Sequence, residues 1–228
     1  MFFYFSCRPH IAIIGDIKHS KTINNRNEVQ KKLIHVLNEI NEKYKEDISS
    51  KFIVTLGDEF QGLLCNGANT MHIISSIERK MYPVKLRFGV GIGEISTDII
   101  REMSIGADGP GYYNARAAIE RLKNDEKRKQ TNPADIRIEI AGDNQAPTVL
   151  INTILALMTM IKESWTERQR EIIWDMLEHQ DSQADVARRL SIKQPTVQKS
   201  LSKGKYYAYK EAFDTIEKAL KEIRRVDV

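Results

Sequence analysis

Apolar residues recur along this chain with two periods, and the changes between them mark out the elements. His10-Ile11-Ala12-Ile13-Ile14-Gly15-Asp16 is a short apolar run that ends on an acid, as a buried strand does. Between residues 24 and 46, Val29, Leu33, Val36, Leu37, Ile40 and Tyr44 stand three and four apart in a charged background, which predicts an amphipathic helix. Lys51 to Leu56 and Glu59 to Leu64 read as short strands around Gly57-Asp58, a tight-hairpin signal. Met71, Ile74, Ile77 and Met81 predict a second helix, closed by Pro83. Val84 to Ile95 reads as a glycine-rich strand, Gly111 to about Lys127 as a third helix, and Ile136 to Ile140 as a last strand. The order β-α-β-β-α-β-α-β is an α+β, ferredoxin-like split βαβ with added elements. Periodicity alone does not give the strand order.

Past residue 142 the strand signal disappears. The polar stretch from Lys123 to Asp135 reads as an exposed loop, and Ala141-Gly142-Asp143-Asn144-Gln145-Ala146-Pro147 as a domain boundary. Two domains are expected, an α+β one over 9–142 and an all-α one over 148–228. In the second, Thr148 to Glu163 reads as a helix. Thr166 and Gln169 then form a capping box ahead of a helix buried through Ile172, Ile173, Met176 and Leu177. Ser182 to Leu190, a turn at Ser191-Ile192-Lys193, and a further helix from Gln194 read as a helix-turn-helix. Ala187 lets the helices cross closely, Leu190, Ile192, Val197 and Leu201 supply the shared core, and Pro195 falls in a first turn that needs no N–H from it. After Gly204, Ala208, Ala212, Phe213, Ile216, Leu220 and Ile223 continue an amphipathic helix that either packs back on its own domain or forms a dimer seam.

Composition narrows the function classes. The 228 residues are 41% hydrophobic and 29% charged, a globular profile. No apolar run approaches a membrane span of roughly 18 to 20 residues. The oily start, Met1 to Cys7, lacks a basic region and a cleavage site and is a poor signal peptide. Cys7 and Cys65 alone form neither a disulfide framework nor a zinc site, so a cytoplasmic location is expected. The histidines show no ligand spacing. The net charge of +4 says little, but its distribution says more. From Val186 to Lys210 there are seven basic residues and no acidic one. That places positive charge where DNA would lie. Lys193, Gln194, Thr196, Gln198, Lys199 and Lys203 face outward as donors for base edges and phosphates, with Gln194, Thr196 and Lys199 nearest the bases and Arg188, Lys203 and Lys205 on phosphates. An ordinary helical hairpin with a solvated basic face is the alternative. The stretch resembles the helix-turn-helix of bacterial regulators of response-regulator and sigma-factor type.

Four islands carry the candidate chemistry of the first domain: Gly15-Asp16-Ile17, Leu56-Gly57-Asp58-Glu59-Phe60-Gln61-Gly62, Arg87-Phe88-Gly89-Val90-Gly91-Ile92-Gly93-Glu94, and Ile105-Gly106-Ala107-Asp108-Gly109-Pro110-Gly111-Tyr112-Tyr113-Asn114-Ala115-Arg116. In a ferredoxin-like sheet Asp16 and Asp58 become neighbours, and two adjacent carboxylates ionise together only with a cation between them. Mg²⁺ takes one or two carboxylates plus phosphate oxygens. Taken singly, Asp16 is also a candidate Asx-turn residue and Asp58 a hairpin-turn residue. Gly89, Gly91 and Gly93 share one strand face, which suits close approach of a ligand or of another backbone. The turn from Gly106 to Gly111 is a candidate phosphate cradle.

These islands, in this order and spacing, resemble the palm domain of class III nucleotidyl cyclases and GGDEF diguanylate cyclases. Over residues 9 to 225 the chain resembles the SatD family of bacterial proteins, through Ile11-Ala12-Ile13-Ile14-Gly15-Asp16-Ile17, Leu56 to Gly62, Gly106-Ala107-Asp108-Gly109-Pro110 and Tyr112 to Arg116. The resemblance implies metal ligands at Asp16 and Asp58, and nucleotide contacts at Gly57, Asp108, Gly109, Asn114 and Arg116. Mg²⁺ and a nucleoside triphosphate or nucleotide second messenger are the implied ligands. Three departures stand against cyclase activity. Val54 stands where ATP cyclases read the base with lysine, and Ala118 where cyclases keep an arginine for the transition state. Leu56 stands where a GGDEF enzyme keeps a glycine. Arg116 and Arg121 point elsewhere around the helix than Ala118 does. Losing such groups costs roughly 10² or more each in rate. The first reading is therefore a homodimeric, cytoplasmic bacterial DNA-binding regulator with a nucleotide-sensing or degenerate cyclase-like domain. The alternative is a Mg-dependent nucleotidyl cyclase or nucleotidyltransferase with an accessory helical domain. A pure dimerisation scaffold is the third, against which Asp16 and Asp58 argue.

Overall fold

The computed structural model describes residues 9–128, 134–140 and 146–223. The oily start, the middle of the charged loop before the last strand and most of the polar boundary lie outside the described residues. The elements are β1 (His10–Ile17), α1 (Arg26–Lys43), β2 (Ile48–Leu56), β3 (Glu59–Leu64), α2 (Thr70–Met81), β4 (Leu86–Gly93), α3 (Pro110–Lys127), β5 (Ile136–Ile140), α4 (Ala146–Glu163), α5 (Glu167–His179), α6 (Gln183–Arg189), α7 (Gln194–Lys203) and α8 (Tyr206–Lys221). They divide into two compact units: residues up to Ala156 with those from Ile216 onward, and Leu157–Thr215.

In the first unit the strands form one sheet in the order β2-β3-β1-β4-β5. β1 is antiparallel to both β3 and β4, β2 to β3, and β5 runs parallel to β4. The first four strands and two helices are thus the ferredoxin-like split βαβ, and β4-α3-β5 adds one parallel crossover. Alternation sends Ala12 and Ile14 of β1 and Leu63 of β3 to one face, where Tyr112, Ala115 and Ile119 of α3 pack on them. Ile11, Ile13, Phe60 and Phe88 point the other way and are fully buried.

The glycine stripe of β4 has a packing cause. A Cβ at Gly91 would lie 2.0 Å from the Gly111 carbonyl oxygen and 2.2 Å from the Ala115 nitrogen, and one at Gly89 would lie 2.4 Å from the Ala115 carbonyl oxygen. The backbone of α3 rests directly on these glycines, so of the two readings of the stripe the structure selects another backbone.

Two asparagines close exposed backbone of the sheet. Phe52 falls in the register shift of β2 between Ser50 and Ile53. Its N–H donates to Asn41 Oδ1 at 2.8 Å and its carbonyl accepts from Asn41 Nδ2 at 2.9 Å. At the other edge, Ile138 of β5 makes the same two-point pairing with Asn152 of α4, both bonds 2.8 Å. Among the described residues α4 alone is long and apolar enough to cross a membrane, with a mean hydropathy of 1.2. Its buried positions are Thr148, Ile151, Leu155, Met158, Thr159 and Lys162. The last turns of α8 belong to this unit too. Glu217 Oε2 accepts from Met71 N at 2.9 Å in the first turn of α2, so this end of α8 packs on the α+β unit and not back on the helical domain.

The second unit is helical. Thr166 and Gln169 form the expected capping box of α5. Trp165 donates its indole N–H to the Gly204 carbonyl at 2.7 Å and meets Tyr209 edge-on at 4.9 Å. Arg170 lies against both Trp165 and Trp174.

Candidate functional site

The first cluster lies where β1, β3 and β4 meet under α3. The pairing sets Asp16 opposite Glu59 on one side and Arg87 on the other. Its parity with Ala12 and Ile14 turns Asp16 to the α3 face, and its exposure is 4%. Lys123 of α3 brings its ammonium to 2.5 Å from Asp16 Oδ2, and Arg87 Nε lies 3.5 Å from Oδ1. Behind them, Arg87 reaches Glu126 at 3.2 Å, and Lys18 pairs with Asp135 at 2.5 Å and Glu126 at 3.9 Å. Burial pushes the Asp16 carboxyl above the usual carboxylate range against the pull of Lys123 and Arg87, and the charge of Asp58 adds to the rise.

Asp58 sits with Gly57 at the hairpin tip, where Gly57 takes the left-handed φ of 64° that a tight turn asks for. Its carbonyl accepts from Ile17 N at 3.3 Å, so the hairpin tip adjoins the end of β1 as the sequence predicted. Asp58, Gly57, Ile17, Ser20, Arg26 and Gln30 line a cavity of about 300 Å³. Gln30 ties α1 to the turn by donating to the Gly57 carbonyl at 3.0 Å. Ser20, Arg26 and Gln30 carried no signal in the sequence: they become cavity residues only because the hairpin tip folds back beside the start of α1.

The other predicted nucleotide contacts have partners within the fold. Asn114 donates to the Ile92 carbonyl at 2.9 Å, and Arg116 pairs with Glu59 at 2.6 Å. Asp108 accepts from the Tyr113 hydroxyl at 2.7 Å, and its N–H donates to Thr97 Oγ1. Gly109, with φ 146°, opens α3 against the Ser96 backbone. Ala118 is fully buried, so this face of α3 carries packing where an arginine would serve chemistry.

The Asp16 and Asp58 pair does not fit Mg²⁺ as arranged. Each Asp16 oxygen already faces a fixed cation, one of them hydrogen-bonded. Among the described residues no group of three or more His, Cys, Asp or Glu side chains is placed to hold a metal ion.

The second cluster is on α6 and α7. Val186, Ala187, Val197 and Leu201 are buried between these helices and α5. The turn closes as a Schellman motif. Ile192 N donates to the Ala187 carbonyl at 2.9 Å and Ser191 N to the Arg188 carbonyl at 3.3 Å, with Ser191 at φ 52°. Arg188, Lys193, Gln194, Thr196, Lys199, Lys203 and Lys205 are all exposed. Arg188 pairs with Asp185 at 3.0 Å, and Arg189 is held by Asp175 and Asp181. Among the described residues, Lys193, Lys199, Lys203 and Lys205 have no acidic partner.

A sequence profile of the SatD family matches residues 10–216. No curated protein matches. Solved structures similar to part of the chain include a dimeric guanylyl cyclase domain from the aquatic fungus Blastocladiella emersonii, with 14% identity over 49% of this chain and 73% of that one and a TM-score of 0.37. A bacterial light-regulated adenylyl cyclase shares 11% identity over 57% of this chain and 75% of that one, with a TM-score of 0.40. An EAL/GGDEF-domain protein from M. capsulatus shares 15% identity over 61% and 89%, with a TM-score of 0.34.

Proposed function

The chain belongs to the SatD family, and from that premise we propose that it is a homodimeric, cytoplasmic bacterial DNA-binding regulator whose first unit senses a nucleotide. The exposed face of α7 carries this reading. It presents Thr196, Lys199 and Lys203 together, with Gln194 exposed at the first position of the helix, while Val197 and Leu201 fix the helix from behind. A helix presented this way suits the major groove: its first turns reach base edges, and the lysines at its end and at Lys205 reach phosphates. Arg189 takes no part, because two carboxylates hold it; Arg188, exposed at the end of α6, is a phosphate contact.

The cavity beside the hairpin supports the nucleotide half of the reading. It joins the first turn of α1, with Arg26, to Ser20, Gln30 and Asp58. A helix N-terminus with a guanidinium suits phosphate oxygens, and Asp58 suits a ribose or base donor. Asn114 and Arg116, both occupied within the fold, act in positioning α3.

Fluorescence anisotropy with labelled duplex DNA tests the reading. The full chain is expected to bind at low salt. Lys203→Ala weakens binding on every sequence. Gln194→Ala changes which sequence is preferred. Absence of wild-type affinity even at low salt overturns the regulator. Titration with ATP and GTP, read by calorimetry, tests the sensor separately, with Arg26→Ala as the variant expected to lose binding.

A further inference from the structure

The ions around Asp16 balance. Asp16, Glu126 and Asp135 supply three carboxylates, and Lys18, Arg87 and Lys123 supply three cations, each within 4 Å of a partner. Asp58 and the Glu59–Arg116 pair lie beside this set, and exposed His19 approaches Glu126 at 3.7 Å. A divalent ion placed on Asp16 would add two positive charges beside three cations that Asp16, Glu126 and Asp135 already balance, and would meet Lys123 within contact distance. Burial makes that repulsion expensive.

We propose that Lys123 is a built-in cation at the palm acid: its ammonium takes the place of a divalent metal on Asp16 and keeps this domain metal-free. Lys123 suits the role because it comes from α3, the helix whose backbone is locked onto Gly89 and Gly91, so its Cα cannot drift from the sheet. Its side chain is still 38% exposed, so the ammonium lies at the rim of the layer, on the route a solvated ion would take to Asp16. Arg87, at 9% exposure, faces the other carboxylate oxygen from within at 3.5 Å, without a hydrogen bond between them. The protein therefore keeps the acid of a metal site and supplies the charge itself. Lys123 thereby decides which ligands the domain accepts: those that arrive without a metal bridge to Asp16.

This goes beyond the nucleotide and DNA reading and does not depend on it, because its test contains neither. Mn²⁺ alone is titrated into metal-free full-length protein, with bound ion read by electron paramagnetic resonance and folding by circular dichroism. Wild type is expected to show no uptake that Asp16→Asn removes. Lys123→Met, which keeps the apolar stem and drops the charge, is expected to bind Mn²⁺ at least about tenfold more tightly, a small part of what a unit charge at about 4 Å exerts near a protein surface. Adding Asp16→Asn should abolish that gain. Wild-type uptake that is lost in Asp16→Asn overturns the proposal, as does a folded Lys123→Met that binds no better than wild type. Should Lys123→Met not fold, Lys123→Gln replaces it, and the comparison of wild type with Asp16→Asn still decides.

Discussion

Two residues show how little slack the first unit has. At Gly91 a methyl group would meet backbone atoms of α3 at 2.0 and 2.2 Å, which no side-chain rotation relieves. Gly91→Ala must lift the start of α3 from the sheet. It should cost about 3 kcal/mol or more, as overpacking against backbone does, read as a lower thermal midpoint. Asp16 gives a prediction of opposite character. Its folded-state pKa is raised, first by burial. The folded protein thus holds this proton more tightly than the unfolded chain. The stability Asp16 contributes is fully present below the unfolded pKa and is lost as pH rises through the folded value. Asp16→Asn, which cannot ionise, should gain on wild type as the pH climbs from the acid range towards neutrality. Urea titrations of both proteins at several pH values check the sign. A gap that is constant with pH would contradict it.

At the scale of elements, the sheet depends on side chains that mimic peptide groups. Asn41 satisfies both backbone groups of Phe52 at a buried register shift, and Asn152 does the same for Ile138 at the β5 edge. Asn41→Ala leaves two buried groups unmet, at roughly 1–3 kcal/mol each. A loss of about 2–4 kcal/mol is expected, seen as a lower urea midpoint with an unchanged slope. The element order was readable because α1, α2 and α8 carry periodic apolar residues and β2-β3 carry a Gly-Asp turn. The strand order was not, since pairing β1 between β3 and β4 joins residues far apart in sequence. The glycines of β4 were readable as a close approach but not as to what approaches, because a ligand and a helix leave the same signature. Lys123 gave no signal at all. A lysine in the charged second half of a helix looks solvated until the sheet sets Asp16 beneath it. Asn41 was hidden likewise, as a polar residue beside an apolar stripe whose partner lies across a bulge.

At the scale of the whole molecule the two units make separable demands: the first is built around a neutralised acid and a small cavity of mixed lining, the second presents Lys193, Lys199, Lys203 and Lys205, which have no acidic partner among the described residues. DNA binding by the second unit should therefore be governed by counterion release. Lys203 and Lys205 are exposed and flank Gly204, which packs closely on the core: a Cβ there would lie 2.5 Å from the tip of Ile173 and 3.0 Å from the Ser200 carbonyl oxygen. The two lysines are thus presented from a backbone pinned to the core of the unit. If each contacts a phosphate, replacing both by Ala should weaken binding to all sequences alike. It should also reduce the slope of log affinity against log salt by about two per α7 engaged, since each contact contributes roughly 0.9. A dimer engaging two half-sites would show twice that change, with half-sites about one helical turn apart. Anisotropy titrations at several salt concentrations, on duplexes carrying one half-site and two, separate these cases. A double variant that keeps the wild-type slope would mean that Lys203 and Lys205 face solvent in the complex, and that α7 does not lie along the groove.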